Sequence, residues 1–363
     1  MITKVKKISV DTCSEKDFGE AAEILKAGGL VAFPTETVYG LGGDGLLSSA
    51  AEKIYAAKGR PSDNPLIIHI AEMEQLNALT NKVSEKARKL ADAFWPGPLT
   101  MIFDKSDQVP YGTTGGLDTV AVRMPNHPIA LGLIRASHVM IAAPSANTSG
   151  RPSPTNAEHV IEDLNQKIDM IIDGGEVGIG IESTIVDMTG KIPVILRPGY
   201  ITKGMLEEIV GTVAVDKAIL TKGVQQGLKP KAPGMKYKHY APKGDLCLYE
   251  GNAKDVIQAI NKEAAKKRKE HKRVGIIATE ETKQSYDADY VMCVGSRKDE
   301  ASIAKHLYGI LREFDRLQVE YIYGECFSSD NLGQAIMNRL LKAAGYHVVH
   351  VSKREGCEAD NEI

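Results

Sequence analysis

Between Leu30 and Ile70 the apolar positions fall into two short runs flanking a helix-periodic block, in LVAFPTETVYGLGGDGLLSSAAEKIYAAKGRPSDNPLIIHI. Leu30 to Phe33 has the length of a buried strand and stops at Pro34, which cannot donate to a sheet ladder. A polar turn with two threonines follows, and Ser48 or Ser49 is placed to cap a helix running to Lys58. Leu66 to Ile70 reads as a second strand, ending near His69. Together these elements occupy about the length of a βαβ unit. After the helix, Lys58, Arg60, Ser62 and Asn64 occupy alternate positions, with Gly59, Pro61 and Pro65 interspersed. An extended, proline-stiffened loop would send alternate side chains to one side, so two cations and two hydrogen-bonding groups would face one point, a place for a polyanion.

Upstream, Glu15 to Ala27 has helical spacing and closes at Gly28-Gly29. Downstream, Met73 to Phe94 reads as two helices before Trp95-Pro96-Gly97-Pro98 breaks the pattern. Leu99 to Phe103 is the next strand. Tyr111 to Asp118 is rich in glycine and threonine, which predicts a mobile loop too polar for a core. Thr119 to Met124 alternates as a strand carrying Arg123 near its end, Pro128 to Ala136 is helical, and Met140 to Ala143 is a strand leading into Pro144-Ser145-Ala146-Asn147-Thr148-Ser149-Gly150. Thr155 with Glu158 predicts a capping box for a helix to Leu164. Met170 to Ile172, Ser183 to Asp187 and Val194 to Leu196 are three further strands between glycine turns.

From Lys217 to Lys243 the chain carries seven lysines, no Asp or Glu, and no periodicity. That composition makes a linker, yet Ala232 to Pro242 holds aromatic and basic side chains beyond what a tether requires. From Gly244 the pattern alternates: strands at Leu246 to Tyr249, Val274 to Ala278, Tyr290 to Val294, Tyr321 to Tyr323 and Val348 to Val351, with helices at Ala253 to Lys266, Ile303 to Leu317 and Gly333 to Ala344. The predicted fold class is therefore α/β (α+β): a twisted mixed-sheet domain over 1–210, a basic linker or lid over 211–243, and a smaller Rossmann-like αβ domain over 244–363. The second unit lacks GxGxxG, which argues against dinucleotide binding there. Lys262 to Lys272 reads as a solvated face.

Composition adds bounds. The chain of 363 residues is 43% hydrophobic and 25% charged, ordinary for a globular protein of two domains. A net charge of −2 excludes a surface that is uniformly a nucleic-acid field. Cys13, Cys247, Cys293, Cys326 and Cys357 are odd in number and unpaired in sequence, pointing to reduced thiols and away from a zinc ribbon. The opening MITKVKKISVDT has no apolar stretch behind its cations, and no apolar run reaches membrane-spanning length, so a cytoplasmic location without membrane attachment is expected.

Four clusters carry candidate chemistry: Lys58/Arg60/Ser62/Asn64, Thr119 with Arg123, Ser145/Asn147/Ser149/Ser153, and Arg197 in LRPG. Nearly all follow a predicted strand, and ligands of open α/β sheets gather at strand carboxyl ends. Arginine there neutralises phosphate or carboxylate while Ser and Asn orient it. Each also has a structural reading: Lys58 and Arg60 as helix-dipole partners, Ser145 and Asn147 as turn formers, Arg197 in a surface ion pair, and His69 as a core histidine. No Walker A loop, HExxH, nucleophile elbow or paired CxxC is present, so metal hydrolysis and acyl-enzyme chemistry lack candidates.

The segments FPTETVYGLG, KIYAAKGRPSDNPL, WPGPLT, VAVRMP, APSANTSG, IESTIVD and LRPG together resemble the YrdC-like threonylcarbamoyl-AMP synthase family over roughly the first two hundred residues, and KHYAP with the trailing αβ unit is similar to its two-domain form. The resemblance implies a YrdC-like first domain and synthesis of L-threonylcarbamoyl-adenylate and pyrophosphate from L-threonine, bicarbonate and ATP, for threonylcarbamoyladenosine formation in tRNA by a downstream transferase machinery. It implies a catalytic tetrad of Lys58, Arg60, Ser145 and Asn147. ATP would contact Arg60, Asn64, Thr119, Ser145, Ser153, Arg197 and Tyr240. L-Threonine would be held by Thr37, His69, Arg123, the Ala143 backbone and Ser183. Mg2+ would ride on the phosphates, with no protein ligands assigned.

Two other readings of the first domain stay open at this point. One is an RNA-binding module, with salt-sensitive affinity and no ATP turnover. The other is a carbamoyl-adenylate-forming enzyme of the hydrogenase-maturation type, although that type carries acylphosphatase-like and cysteine-rich zinc modules for which this chain has no counterpart. The trailing unit is open to a regulatory or docking role.

Overall fold

A computed structural model describes residues 2–220 and 239–351. The first unit is built on a mixed sheet of eleven strands. In spatial order these are Lys4–Lys7, Met170–Asp173, Val31–Phe33, Gly40–Asp44, Ile141–Ala142, Ile67–His69, Thr119–Arg123, Leu99–Asp104, Thr184–Asp187, Val194–Arg197 and Ala214–Val215. Buried apolar clusters lie against this sheet, one of them joining Phe18 and Leu25 of the helix Glu15–Lys26 to Leu133 and Ile134 of the helix Pro128–Ser137. The second unit is a five-stranded sheet in the order Tyr290–Cys293, Val274–Ala278, Tyr321–Glu325, Asp245–Glu250, Val348–His350. All its neighbouring strands run parallel. The expected class of a mixed-sheet domain followed by a smaller parallel αβ layer is what the chain adopts.

Several local expectations need correction. The polar turn after Pro34 contains a strand, Gly40–Asp44, paired antiparallel to Val31–Phe33. Its composition hid it: a Cβ built on Gly42 would stand 2.7 Å from Ile141 and 2.8 Å from Phe33, so only glycine fits between those side chains. The helix Ser48–Lys58 has no serine cap; Leu47 is its N-cap, and Gly59, at φ 61°, ends it. The Met73 to Phe94 stretch divides into a 3-10 turn, a four-residue helix Leu76–Leu79 and the helix Glu85–Phe94. The loop from Tyr111 opens with a short helix, Tyr111–Thr114, in which Thr113 and Thr114 are buried because their hydroxyls donate to the carbonyls of Gly45 and Leu117. The helix expected to start at Thr155 is Ala157–Leu164, capped by Asn156, while Thr155 bonds to His159 Nδ1.

The two units share an apolar core. Val38 and Ile181 of the first pack in the same cluster as Leu307, Tyr308 and Leu311 of the helix Glu300–Arg316 and Ile336 of the helix Asn331–Ala343. Around it Arg312 donates to the Pro152 carbonyl at 2.7 Å and to Asp163 at 2.9 Å.

Candidate active site

The sheet order brings separate motifs together at the ends of interior strands. Ile67–His69 runs parallel to Thr119–Arg123 with His69 opposite Arg123, and Ala143 N donates to Ile67 O at 2.9 Å. Thr184–Asp187 runs antiparallel to Val194–Arg197, so Ser183, just before one strand, meets Arg197 at the end of the other. Between them lies a pocket lined by Thr37, Arg60, His69, Arg123, Ala143, Ser145, Ser183, Arg197 and Tyr240, nine of the expected site residues. Lys58, Asn64, Asn147 and Ser153 are buried and each is hydrogen-bonded to a lining residue. Thr119 lies at the start of the strand that ends in Arg123, about 13 Å along it.

The Lys58-to-Asn64 segment does not project its side chains to one side. Residues 62–64 form a turn closed by Asn64 N to Pro61 O at 3.2 Å, and Ser62 is exposed. Arg60 folds around that turn, donating to Asn64 O at 3.2 Å and Pro65 O at 3.0 Å. Lys58 points the other way, donating to the carbonyls of Ser145 and Asn147. It therefore ties the helix end to the Ser-Ala-Asn loop, whose Ser145 hydroxyl donates to Asn147 Oδ1 at 2.5 Å. Burial, with Arg60 nearby, holds the Lys58 ammonium well below the usual lysine range. Burial also lowers Arg60, to about 10, which leaves it charged at neutral pH. Asn64 Oδ1 is buried with no hydrogen-bond partner among the described residues.

At the other end of the pocket, Arg123 donates to Gly97 O at 3.2 Å and to Thr37 Oγ1 at 2.9 Å. Its Nη2 lies 2.7 Å from Glu36 Oε2, an ion pair whose angles are not those of a hydrogen bond. Three sides of the guanidinium are thus fixed. His69 Nδ1 lies 3.2 Å from Ile67 O, and burial, reinforced by Arg123, pushes its pKa down to about 3, so the ring is neutral. Arg197 donates to Ser183 O at 3.0 Å and to Ser183 Oγ at 3.1 Å. It is buried, which overturns the surface ion-pair reading. Tyr240 stacks on Tyr308 of the second unit at 5.3 Å. It is the described end of the expected lid, residues 221–238 of which lie outside the described residues.

Four further polar side chains line the pocket without having been singled out: Thr35, Tyr39, Glu182 and His239. Glu182 and His239 sit inside the IESTIVD and KHYAP motifs, and their buried neighbours come from distant parts of the chain, so no local pattern marks them. The pocket combines buried cations and hydroxyls, a donor set able to meet phosphate and carboxylate oxygens. Among the described residues no group of three or more His, Cys, Asp or Glu side chains could hold a metal ion.

Comparison with known proteins agrees with this geometry. Residues 23–199 match the Sua5/YciO/YrdC family model, described as telomere recombination, and residues 201–345 match the model described as the C-terminal domain of threonylcarbamoyl-AMP synthase. Threonylcarbamoyl-AMP synthase of Pyrococcus abyssi is 50% identical over 331 residues, covering 91% of this chain and 95% of that protein. The protein of the same name from Bacillus subtilis is 48% identical over 352 residues, 95% and 99% of the two chains. The crystal structure of P. abyssi Sua5 complexed with L-threonine superposes with a TM-score of 0.89 at 48% identity, over 97% of this chain and 100% of that one. With both units matched in order and such relatives covered nearly end to end, the chain belongs to the two-domain Sua5 family of threonylcarbamoyl-AMP synthases.

Proposed function

We propose that the pocket joins L-threonine, bicarbonate and ATP into L-threonylcarbamoyl-adenylate, releasing pyrophosphate, and that the product feeds threonylcarbamoyladenosine formation in tRNA by a separate transferase machinery in the cytoplasm. The observation that carries the reading is one pocket with Arg123 held by Thr37 at one end and Arg60 and Arg197 at the other. Among the described residues no helix is long and apolar enough to cross a membrane.

Threonine's ammonium first loses a proton. Bicarbonate takes up that proton and loses water to give CO2, and the amine adds to its carbon and sheds a second proton to solvent, giving a carbamate. A carbamate oxygen attacks the α-phosphorus of ATP, and the bond to the pyrophosphate leaving group breaks. No protein nucleophile is required. The chain supplies position and charge: Arg123 is assigned the threonine carboxylate, which would take over one of the contacts its nitrogens now make, with His69, Ser183 and the Ala143 backbone contributing to the same subsite. Arg60 and Arg197 face the phosphates with Ser145, while Asn64, Thr119, Ser153 and Tyr240 take the remaining nucleotide contacts. Lys58 and Asn147 hold the Ser145 loop. Mg2+ belongs to this proposal as a phosphate-bound ion; it would neutralise triphosphate charge. Among the described residues there is no carboxylate cage, which suits that arrangement, in which the residues holding the phosphates would hold the ion indirectly. Tyr240, by this reading, helps to exclude water from the carbamate and adenylate.

The test is pyrophosphate release from ATP and Mg2+ with each small substrate omitted in turn. Release that needs both threonine and bicarbonate supports the function. Release indifferent to threonine moves the reading to carbamoyl-adenylate formation, and salt-sensitive RNA binding without turnover moves it to an RNA-binding module.

A further inference from the structure

The pocket holds an acid that a triphosphate site should not tolerate. Glu182 lines it beside Arg197 and is only 7% exposed, and a carboxylate there would repel phosphate or capture the arginine meant for it. The second unit intervenes. Arg339, on the helix Asn331–Ala343 and fully buried, donates from Nε to Glu182 Oε2 at 3.1 Å and from Nη2 to Glu182 O at 3.1 Å, and its Nη1 donates to Pro198 O. Tyr308, on the helix Glu300–Arg316, donates to the same carboxylate at 3.0 Å, and Ser153 donates at 2.5 Å from the first unit. Both carboxylate oxygens and the backbone carbonyl of Glu182 are therefore engaged. Arg197 makes its hydrogen bonds to Ser183.

From this geometry we infer that Arg339 is a positioning residue for ATP binding: it neutralises Glu182 from the second unit and so leaves the Arg197 charge for phosphate. The inference rests on the proposed function and gives the trailing unit a part in the same site. Charge behaviour agrees. Burial alone would raise the Glu182 carboxyl, but Arg339 and Arg197 outweigh it and hold it at about 2. The alternative is that Arg339 only compensates a buried acid for stability, which predicts a lower melting temperature and nothing else.

The two separate in steady-state pyrophosphate release by the full-length chain, with melting temperature measured in parallel. In Arg339→Gln the uncompensated Glu182 draws Arg197, so KM for ATP is expected to rise about 10- to 100-fold while KM for threonine moves less than about threefold. Glu182→Gln with Arg339→Gln removes both charges and keeps one side-chain acceptor at position 182, so KM for ATP should return to within about threefold of the unsubstituted chain. If Arg339→Gln does not fold, Arg339→Met carries the test: it fills the same buried space without the charge, and KM for ATP should again rise about tenfold or more. An unchanged KM for ATP in a folded variant, or a double variant no better than the single one, overturns the inference and leaves the function standing. An unsubstituted chain with no threonine-dependent release overturns the function and the inference with it.

Discussion

The ammonium of Lys58 sits 2.5 Å from the carbonyl oxygen of Asn147 and donates as well to that of Ser145. A lysine that the sequence places in a phosphate cradle is thereby spent on backbone, and its effect on catalysis runs through the loop it holds. Lys58→Met keeps most of the stem volume and strands two buried carbonyls, each worth about 1–3 kcal/mol when unpaired. The expected outcome is a lower melting temperature together with a loss of pyrophosphate release of about 100-fold, because the Ser145 hydroxyl is no longer placed. A folded variant with unsubstituted rates would show the loop holds itself.

The threonine end should discriminate by hydroxyl. A site built around polar partners for a substrate hydroxyl rejects analogues lacking it, whereas an apolar pocket separates them only weakly. Alanine and valine are expected to support release with kcat/KM at least about 100-fold below threonine. Thr37 Oγ1 already accepts from Arg123 and pairs with Thr35 Oγ1 at 2.9 Å. Thr37→Val should therefore raise KM for threonine and alanine together through the arginine, about tenfold, with little change in their ratio. Comparable rates with alanine in the unsubstituted enzyme would sink the hydroxyl argument.

Much of this architecture is legible in the chain. Apolar runs mark the strands at Val31, Leu99, Val274 and Tyr321, and Gly59 marks a helix end that the left-handed backbone there requires. What is not legible has physical causes. The Gly40–Asp44 strand carries glycine where neighbouring side chains leave no room, so composition mimics a turn. Thr113 and Thr114 are buried because local carbonyls satisfy them, which hydropathy does not register. Alternation predicts one outward face for Lys58 and Arg60 only while the chain stays extended, and the turn at 62–64 abolishes it. Glu182 finds Arg339 across 157 residues, a pairing no local pattern encodes.

Acid should weaken the fold in two windows. His69 is neutral when folded, its pKa pushed down to about 3 by burial and then Arg123, against an ordinary value of 6.5 in the unfolded chain. Between those values the unfolded state binds a proton that the native state refuses, so this contribution is complete above pH 6.5 and is lost as pH falls toward 3. Glu182, at about 2 against an ordinary 4.5, adds a lower window: its contribution is present above 4.5 and lost toward 2. Unfolding free energy from urea titrations should be level near neutrality and fall below pH 6.5, by up to about 1.4 kcal/mol per pH unit for each proton taken up. His69→Asn should remove one proton from the upper slope. An identical slope in that variant would mean that His69 titrates normally in the folded protein.

Chelation should separate activity from stability. If Mg2+ enters on the triphosphate, EDTA is expected to abolish pyrophosphate release, with recovery on adding Mg2+, while the melting temperature of the nucleotide-free chain stays unchanged. The described residues offer no cluster of metal-ligating side chains on which folding could depend. A drop in melting temperature with EDTA would require a metal bound by protein groups.

The two units should unfold together. Arg312, 3% exposed, donates to Pro152 O through two nitrogens and to Asp163, itself 4% exposed, and Arg151 joins Asp163 to Asp315 of the same helix as Arg312. Val38 and Ile181 pack within the second unit's core, so either unit alone would expose apolar surface as well as buried charge. Calorimetry of the unsubstituted chain is expected to show one transition. Arg312→Met leaves Asp163 with half its cationic partners, and breaking a buried pair by removing one side costs about 3–5 kcal/mol. The loss falls on the interface, so the variant should split into two transitions or melt well below the parent. Two transitions in the unsubstituted chain would show that the interface contributes little, and would weaken the case that Arg339 acts on the pocket from across it.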